Sequence, residues 1–273
     1  MDGLLIVDKP RGVSSFNVIR DVRKKYGIRA VGHIGTLDPE ASGVLPILVG
    51  KATKLSDLLM LHDKDYIAEI TLGIKTDSGD IEGNIIERDD SNHNYDKNQI
   101  LTVLNSFKGH SKQIPPMYSA IKIDGKKLYE LARNGKSVER EERDIFIENI
   151  ELLDFDGKII KYKVTCSKGT YIRVLSENIA EKLGTVGFMS SLRRTRVGNF
   201  KIEDAEKFIK IEDILDVEKI ELNDSKYKKF LNGILINVEG FNNGWIKIYK
   251  NGKFKGFGIV NKNLLKRKIV IDE

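Results

Sequence analysis

Gly32-His33-Ile34-Gly35-Thr36-Leu37-Asp38-Pro39-Glu40-Ala41-Ser42-Gly43-Val44-Leu45 is a polar, glycine-punctuated segment that runs into the apolar stretch Val44 to Val49. Three glycines in twelve residues suit a backbone that turns tightly or lets a ligand come close. Asp38 stands before a proline, which pushes it into an extended or turn conformation. A carboxylate fixed on a stiff turn, with His33 five residues earlier, is a candidate catalytic group. The same residues also read as a plain Asp-Pro turn whose carboxylate caps its own backbone. Residue chemistry alone leaves both readings open.

Working outward toward the N-terminus, Leu4 to Val7 reads as a short buried strand and Asp8-Lys9-Pro10-Arg11-Gly12 as a turn. Ser14 or Ser15 then caps a helix with Val18, Ile19, Val22 and Tyr26 on its apolar face and Gly27 as its stop. On the other side, Ala52 to Leu61 reads as a helix with Leu55, Leu58 and Leu59 inward. Tyr66, Ala68, Ile70 and Leu72 alternate with Ile67, Glu69 and Thr71, the pattern of a half-buried strand. A tyrosine at such a position is most often core or a rim cap. Thr76 to Gly83 is a polar turn with no assigned chemistry, and residues 87–95 form a loop. Lys97 to Phe107 is a helix carrying Ile100, Val103, Leu104 and Phe107 and ending at Gly109. Lys112 to Arg133 mixes lysines with Tyr118 and Tyr129 around the hairpin signal Asp124-Gly125, a composition suited to gripping a nucleic-acid backbone. Asp144 to Phe155 and Lys158 to Cys166 are two long strands. Ile172, Leu175, Ile179 and Leu183 then follow helical spacing up to Gly184, so Arg173 lies in a first turn. A cation there opposes the helix dipole by a few tenths of a kcal/mol, which an anionic partner would offset. Residues 203–220 read as short helices with Ile211, Ile214 and Leu215 inward. Beyond Ile234 come short strands with glycine turns at Gly244, Gly252 and Gly256.

The chain has 273 residues, 40% apolar and 32% charged, which reads as soluble and globular with room for a second, smaller domain. The run from Val44 to Gly50 is too short to span a bilayer, and MDGLLIVDKP lacks the basic region of a signal peptide. Cys166 is the single cysteine, so no internal disulfide is expected, which fits a reducing cytoplasm. The four histidines show no ligand spacing, and no metal is expected. Residues 221–273 carry eleven Lys/Arg against five Asp/Glu, an excess equal to the +6 of the whole chain. A basic appendage on a neutral body suggests a polyanion-binding module or a solubilising surface.

GHIGTLDPEASGVLPILVGKATK resembles the signature of the TruB family of tRNA pseudouridine synthases, which isomerise the T-loop uridine at tRNA position 55. Asp8-Lys9-Pro10-x-Gly12-x-Ser14-Ser15, Tyr66 after Lys64-Asp65, Tyr171-Ile172-Arg173 and Leu192-Arg193-Arg194-Thr195 are similar to further motifs of that family. The match is specific over residues 4–195 and weak after about 220. It implies an α+β fold: a mixed, mostly antiparallel sheet with flanking helices and a basic catalytic cleft, followed by a small PUA-like β domain. It implies a catalytic domain at 1–220, with an RNA-gripping thumb near 112–143, and a basic RNA-binding domain at 221–273. By resemblance Asp38 is the essential catalytic residue, paired with Arg173. Tyr66 stacks on the target base and Leu192 lines the uracil pocket. His33 props the space left by the flipped base, Lys9 and Pro10 support the loop, and Tyr171 lies on the substrate side. The thumb distinguishes a stand-alone enzyme from guide-RNA-dependent relatives. A cytoplasmic monomer acting on the T-arm of tRNA is expected, with no membrane partner and no cofactor, because the reaction neither oxidises nor reduces. Asp38 could attack base or sugar, or abstract a sugar proton. The rival readings are a non-catalytic tRNA-binding or folding protein and a base-excising hydrolase using Asp38 with Glu40.

Overall fold

The computed structural model describes residues 1–91, 93–119, 121–123, 125–133, 135 and 138–271. The architecture is α+β, as the sequence implies. A ten-stranded sheet runs in the order Phe208–Lys210, Gly3–Lys9, Ser42–Val49, Gly187–Val197, Lys64–Leu72, Ile159–Cys166, Arg143–Phe155, Gly109–Gln113. Val31–His33 and Phe200–Lys201 pair alongside this path. All its pairings are antiparallel except one. Ser42–Val49 and Gly187–Val197 meet in parallel over two residue pairs, Arg193 with Ser42 and Arg194 with Gly43. This short seam joins the two antiparallel halves of the sheet.

The alternation read from Tyr66 to Leu72 is real and starts two residues earlier, at Lys64. Tyr66, Ala68, Ile70 and Leu72 face the main core, together with Val18, Ile19 and Val22 of the Ser15–Tyr26 helix and Ile172, Leu175 and Ile179 of the Ile172–Lys182 helix. Each such aliphatic side chain contributes about 1.5–3 kcal/mol when fully buried. The Tyr162 hydroxyl bonds the Ser176 hydroxyl at 2.9 Å and ties the second helix to the sheet.

Three local expectations change. The single helix over Ala52 to Leu61 is a 3₁₀ segment, Gly50–Leu55, followed by one α-turn, Ser56–Leu59. The fully buried Ala52 and Leu55 are three residues apart, the period of a 3₁₀ turn. The helical reading of 203–220 resolves into 3₁₀ turns at Ile202–Asp204 and Ile211–Asp213, and two strands. Phe208–Lys210 extends the large sheet and Lys219–Glu221 joins the small one. Only Gly252 of the three C-terminal glycines makes a hairpin turn, with Asn251. Gly244 opens a strand, and Gly256 lies inside Lys253–Asn261, where a Cβ would sit 1.9 Å from the Ile269 carbonyl oxygen. The other tight turn is Lys262-Asn263, both at positive φ. Asp124 lies outside the described residues; Lys122–Ile123 and Lys126–Lys127 pair on either side of it.

The small sheet has five strands in the order Lys219–Glu221, Gly244–Lys250, Lys253–Asn261, Leu264–Val270, Ile236–Asn237. It packs on the large one through a common apolar cluster. Leu4, Ile6, Val44, Leu48 and Val197 of the first join Phe257 and Ile269 of the second, and Trp245 and Phe254 pack against this cluster. The two sheets therefore share a core.

Candidate active site

The Asp38 loop connects the two strands of a hairpin, Val31–His33 and Ser42–Val49. Its tip is held from below on both sides of the aspartate. Ser15 Oγ donates to the Leu37 carbonyl at 2.8 Å and accepts from the Leu37 amide at 2.9 Å. Ser14, one residue earlier, is the helix cap and accepts from the Asn17 amide. The adjacent serines thus divide the two tasks. Lys9 Nζ donates to the carbonyls of Pro39 (3.0 Å), Val13 (2.6 Å) and Pro10 (3.0 Å), and the Gly12 amide donates to Pro39. Lys9 is fully buried, and burial pushes its pKa down. It offers no surface to a substrate and acts under the loop, while Pro10 is exposed beside it.

Asp38 itself stays open, with 40% of its side chain accessible, and its Oδ2 lies 3.3 Å from Arg173 Nη2. Arg173 is only 7% accessible and is shared. Nη1 reaches Asp80 Oδ2 at 3.4 Å and the Ser78 carbonyl at 3.3 Å, and Nη2 donates to the Tyr118 carbonyl at 2.7 Å. Asp80 sits in the polar turn from Thr76 to Gly83, to which no chemistry was assigned above. Its carboxylate, 9% accessible, is the second anion on the guanidinium. Its only sequence signal is a cluster of turn-forming polar residues, which says nothing about a partner distant in the chain.

Arg173 is fixed from the other side through Tyr171. The Gln113 carboxamide accepts from the Tyr171 amide at 2.8 Å and donates to the Tyr171 carbonyl at 3.1 Å. Gln113 ends its strand, just before the segment expected to grip RNA. The Tyr171 side chain is half-buried, and burial pushes its hydroxyl pKa up.

Tyr66 pairs in register with Arg194, and Ala68 with Leu192, so Leu192 and Arg194 share the face of the sheet that carries Tyr66. Tyr66 is 7% accessible. Burial pushes its hydroxyl up to about 12, while the neighbouring Arg194 guanidinium pulls the other way. Asp38 is close enough to act on the same hydroxyl electrostatically. Leu192 is half-buried at the edge of the main core. His33 closes the strand before the loop. Its Nδ1 is buried without a hydrogen-bond partner among the described residues, and burial followed by the charge of Arg194 lowers its pKa, leaving a neutral ring. No group of three or more His, Cys, Asp or Glu among the described residues is arranged to hold a metal ion.

An accessible carboxylate clamped by a buried arginine, near a buried tyrosine, suits chemistry on a base taken out of its stack. The class follows from comparison. Residues 23–172 match the family model described as TruB family pseudouridylate synthase (N terminal domain), and residues 173–240 match the tRNA pseudouridylate synthase B C-terminal domain. The boundary between the two matches falls at Arg173, within the large-sheet body, so it divides the sequence and not the fold. The chain is 42% identical over 278 residues to the tRNA pseudouridine synthase B of Clostridium kluyveri, covering 95% of this chain and 96% of that one. Identity to the protein of the same name from Fusobacterium nucleatum is 43% over 289 residues, covering 97% and 98%. A solved Cbf5-Nop10-Gar1 complex shares the fold, with a TM-score of 0.71 at 22% identity over 99% of this chain and 84% of that one. The chain belongs to the TruB family of pseudouridylate synthases.

Proposed function

We propose that this protein isomerises uridine to pseudouridine in the T-loop of tRNA, at position 55. The observation that carries this reading is the Asp38–Arg173 pair: an open carboxylate on a buried, hydrogen-bonded guanidinium. The reaction breaks the C1′–N1 glycosidic bond, turns the base, joins C5 to C1′ and releases the C5 proton. Asp38 is the nucleophile or base that starts it, and Arg173 orients its carboxylate by charge and hydrogen bonding. The ring of Tyr66 stacks on the flipped uracil and Leu192 closes the other face. A hydroxyl held at about 12 keeps its proton at neutral pH. Tyr66 therefore works as a relay, accepting the C5 proton as it gives its own to the exposed Asp38 carboxylate, whose charge already acts on the hydroxyl. The neutral ring of His33 props the space that the base vacates. The net change is an isomerisation, so electrons balance without a redox carrier.

Lysines of the thumb and the small sheet neutralise tRNA phosphates. The enzyme works as a cytoplasmic monomer without a guide RNA; no helix among the described residues is long and apolar enough to cross a membrane. Tritium release from tRNA labelled at uracil C5, followed by mapping of the altered nucleotide, tests the proposal. Free uracil as product, or modification outside the T-loop, would overturn it. Phosphate contact is tested on the exposed Lys266 and Lys268. Replacing both with Ala should flatten the slope of log K against log salt by about 0.7–0.9 per lost contact.

A further inference from the structure

Arg194 is 1% accessible and is the largest fully buried side chain among the described residues. A buried guanidinium is costly to desolvate and is normally paired with a carboxylate. Arg194 has none among the described residues. Nε donates to the Val44 carbonyl at 2.8 Å and Nη2 to the Gly35 carbonyl at 3.0 Å. These two carbonyls lie on either side of Asp38, so the guanidinium spans the base of the Asp38 loop. The remaining neighbour is the Tyr66 hydroxyl, which is the favourable influence on its charge against the cost of burial. The backbone enforces this proximity. Arg194 is the register partner of Tyr66 on one side and of Gly43 on the other. A Cβ at Gly43 would come within 2.1 Å of the Arg194 carbonyl oxygen, so the loop strand can lie this close only because residue 43 is glycine. Nearby Lys64 adds a second buried cation, whose ammonium donates to the His62 carbonyl.

We propose that Arg194 is a positioning residue for Tyr66: anchored on the Gly35 and Val44 carbonyls, its guanidinium orients the Tyr66 hydroxyl and supplies the positive charge on which that oxygen leans as the C5 proton moves. The inference rests on the function proposed above. A relay hydroxyl carries partial negative charge as its own proton leaves, and a cation at fixed distance in a dry site stabilises that charge strongly. Carbonyl partners leave the charge of Arg194 un-neutralised, and so available to the hydroxyl. An arginine already paired with an acid has less of its charge to give.

The test is a double-mutant cycle on single-turnover rate and tRNA affinity. Arg194→Met should slow the reaction by about 10²-fold or more, with affinity held within about threefold. In the Tyr66→Phe background the same substitution should cost less than about tenfold, because the hydroxyl it serves is gone. An undiminished effect in that background would show that Arg194 supports only the loop, and would overturn the proposal. Should Arg194→Met fail to fold, Tyr66→Phe alone still decides: removing the hydroxyl should shift the guanidinium ¹H–¹⁵N signals of Arg194, and unshifted signals would overturn it. Tritium release by the wild-type protein is the control. Without that release, the function itself fails; with it, a failed cycle counts against Arg194 alone.

Discussion

Two buried arginines flank the Asp38 loop, and they are built differently. Arg173 is held by two carboxylates and two carbonyls, one of them from Tyr118 in the thumb region. Arg194 is held by carbonyls of the loop's own base and by Tyr66. Two of the first set are open to exchange, Asp38 by its exposure and Tyr118 by its place on the segment expected to close over RNA, while Asp80 is buried. The second set is fixed by strand register. The difference separates a side of the site with an exposed partner from a side closed by the sheet.

The contrast can be broken most sharply at Asp38. Asp38→Asn keeps the size of the side chain and removes its charge. Activity should fall by about 10⁴-fold or more while tRNA affinity stays within about threefold. Turnover within about tenfold of wild type would remove Asp38 from the chemistry.

Next comes Tyr66, on the fixed side. Tyr66→Phe should slow single turnover by about 10³-fold with binding retained, since the π face remains. Tyr66→Leu also loses stacking worth about 1–3 kcal/mol, so affinity should fall too. Equal affinities for the two variants would refute the stacking role.

Arg173→Lys tests the exchangeable side. A point ammonium cannot span the Asp38 and Asp80 carboxylates as a planar fork does. The chemical rate should drop by about 10²-fold with a smaller change in affinity. A wild-type rate would mean that charge alone, without the fork, is enough.

The smallest effect belongs to a third arginine. Arg196 grips Asp65 with two bonds, of 2.6 and 2.9 Å, one residue from Tyr66. Burial disfavours the Asp65 charge, but hydrogen bonds from Arg196 and Thr165 outweigh it and lower its pKa. A carboxylate lowered in the folded state adds stability above its unfolded value, near 4, and loses it as pH falls through the folded value. Wild type should exceed Asp65→Asn by about 1.5–3 kcal/mol at neutral pH in urea unfolding. The gap should close below about pH 4; a gap constant to lower pH would show that packing, and not charge, sets it.

The readability of these arginines from sequence follows their neighbours. Arg173 shows itself by an unfavourable place in a first helical turn, which asks for an anion. Asp80 could not be matched to it, since a polar turn has many local uses and its partner is remote. Arg193 and Arg194 are adjacent in a strand, so they must face opposite sides. The sequence does not say which is buried. Arg193 makes a half-exposed pair with Asp8 at 2.7 Å, whereas Arg194 goes inside. The strands and helices of the large sheet were legible because their apolar periodicity is strong. The stretch 203–220 was not, because short strands and 3₁₀ turns carry too few residues to show a period; beyond Ile234 the short strands were legible, but two of the three glycine turns were misplaced.

The seam between Ser42–Val49 and Gly187–Val197 also sets an order in time. Arg194 and the Val44 carbonyl that it holds are 150 residues apart. At the ribosome's pace of about 5–20 residues per second, roughly 8–30 s pass between the emergence of the Asp38 loop and that of the side chain beneath it. Closing so long a loop also costs entropy that no local contact repays. Through most of its own synthesis the nascent chain carries the Asp38 loop without the strand that fixes it, and the loop gains its support only as the last third arrives.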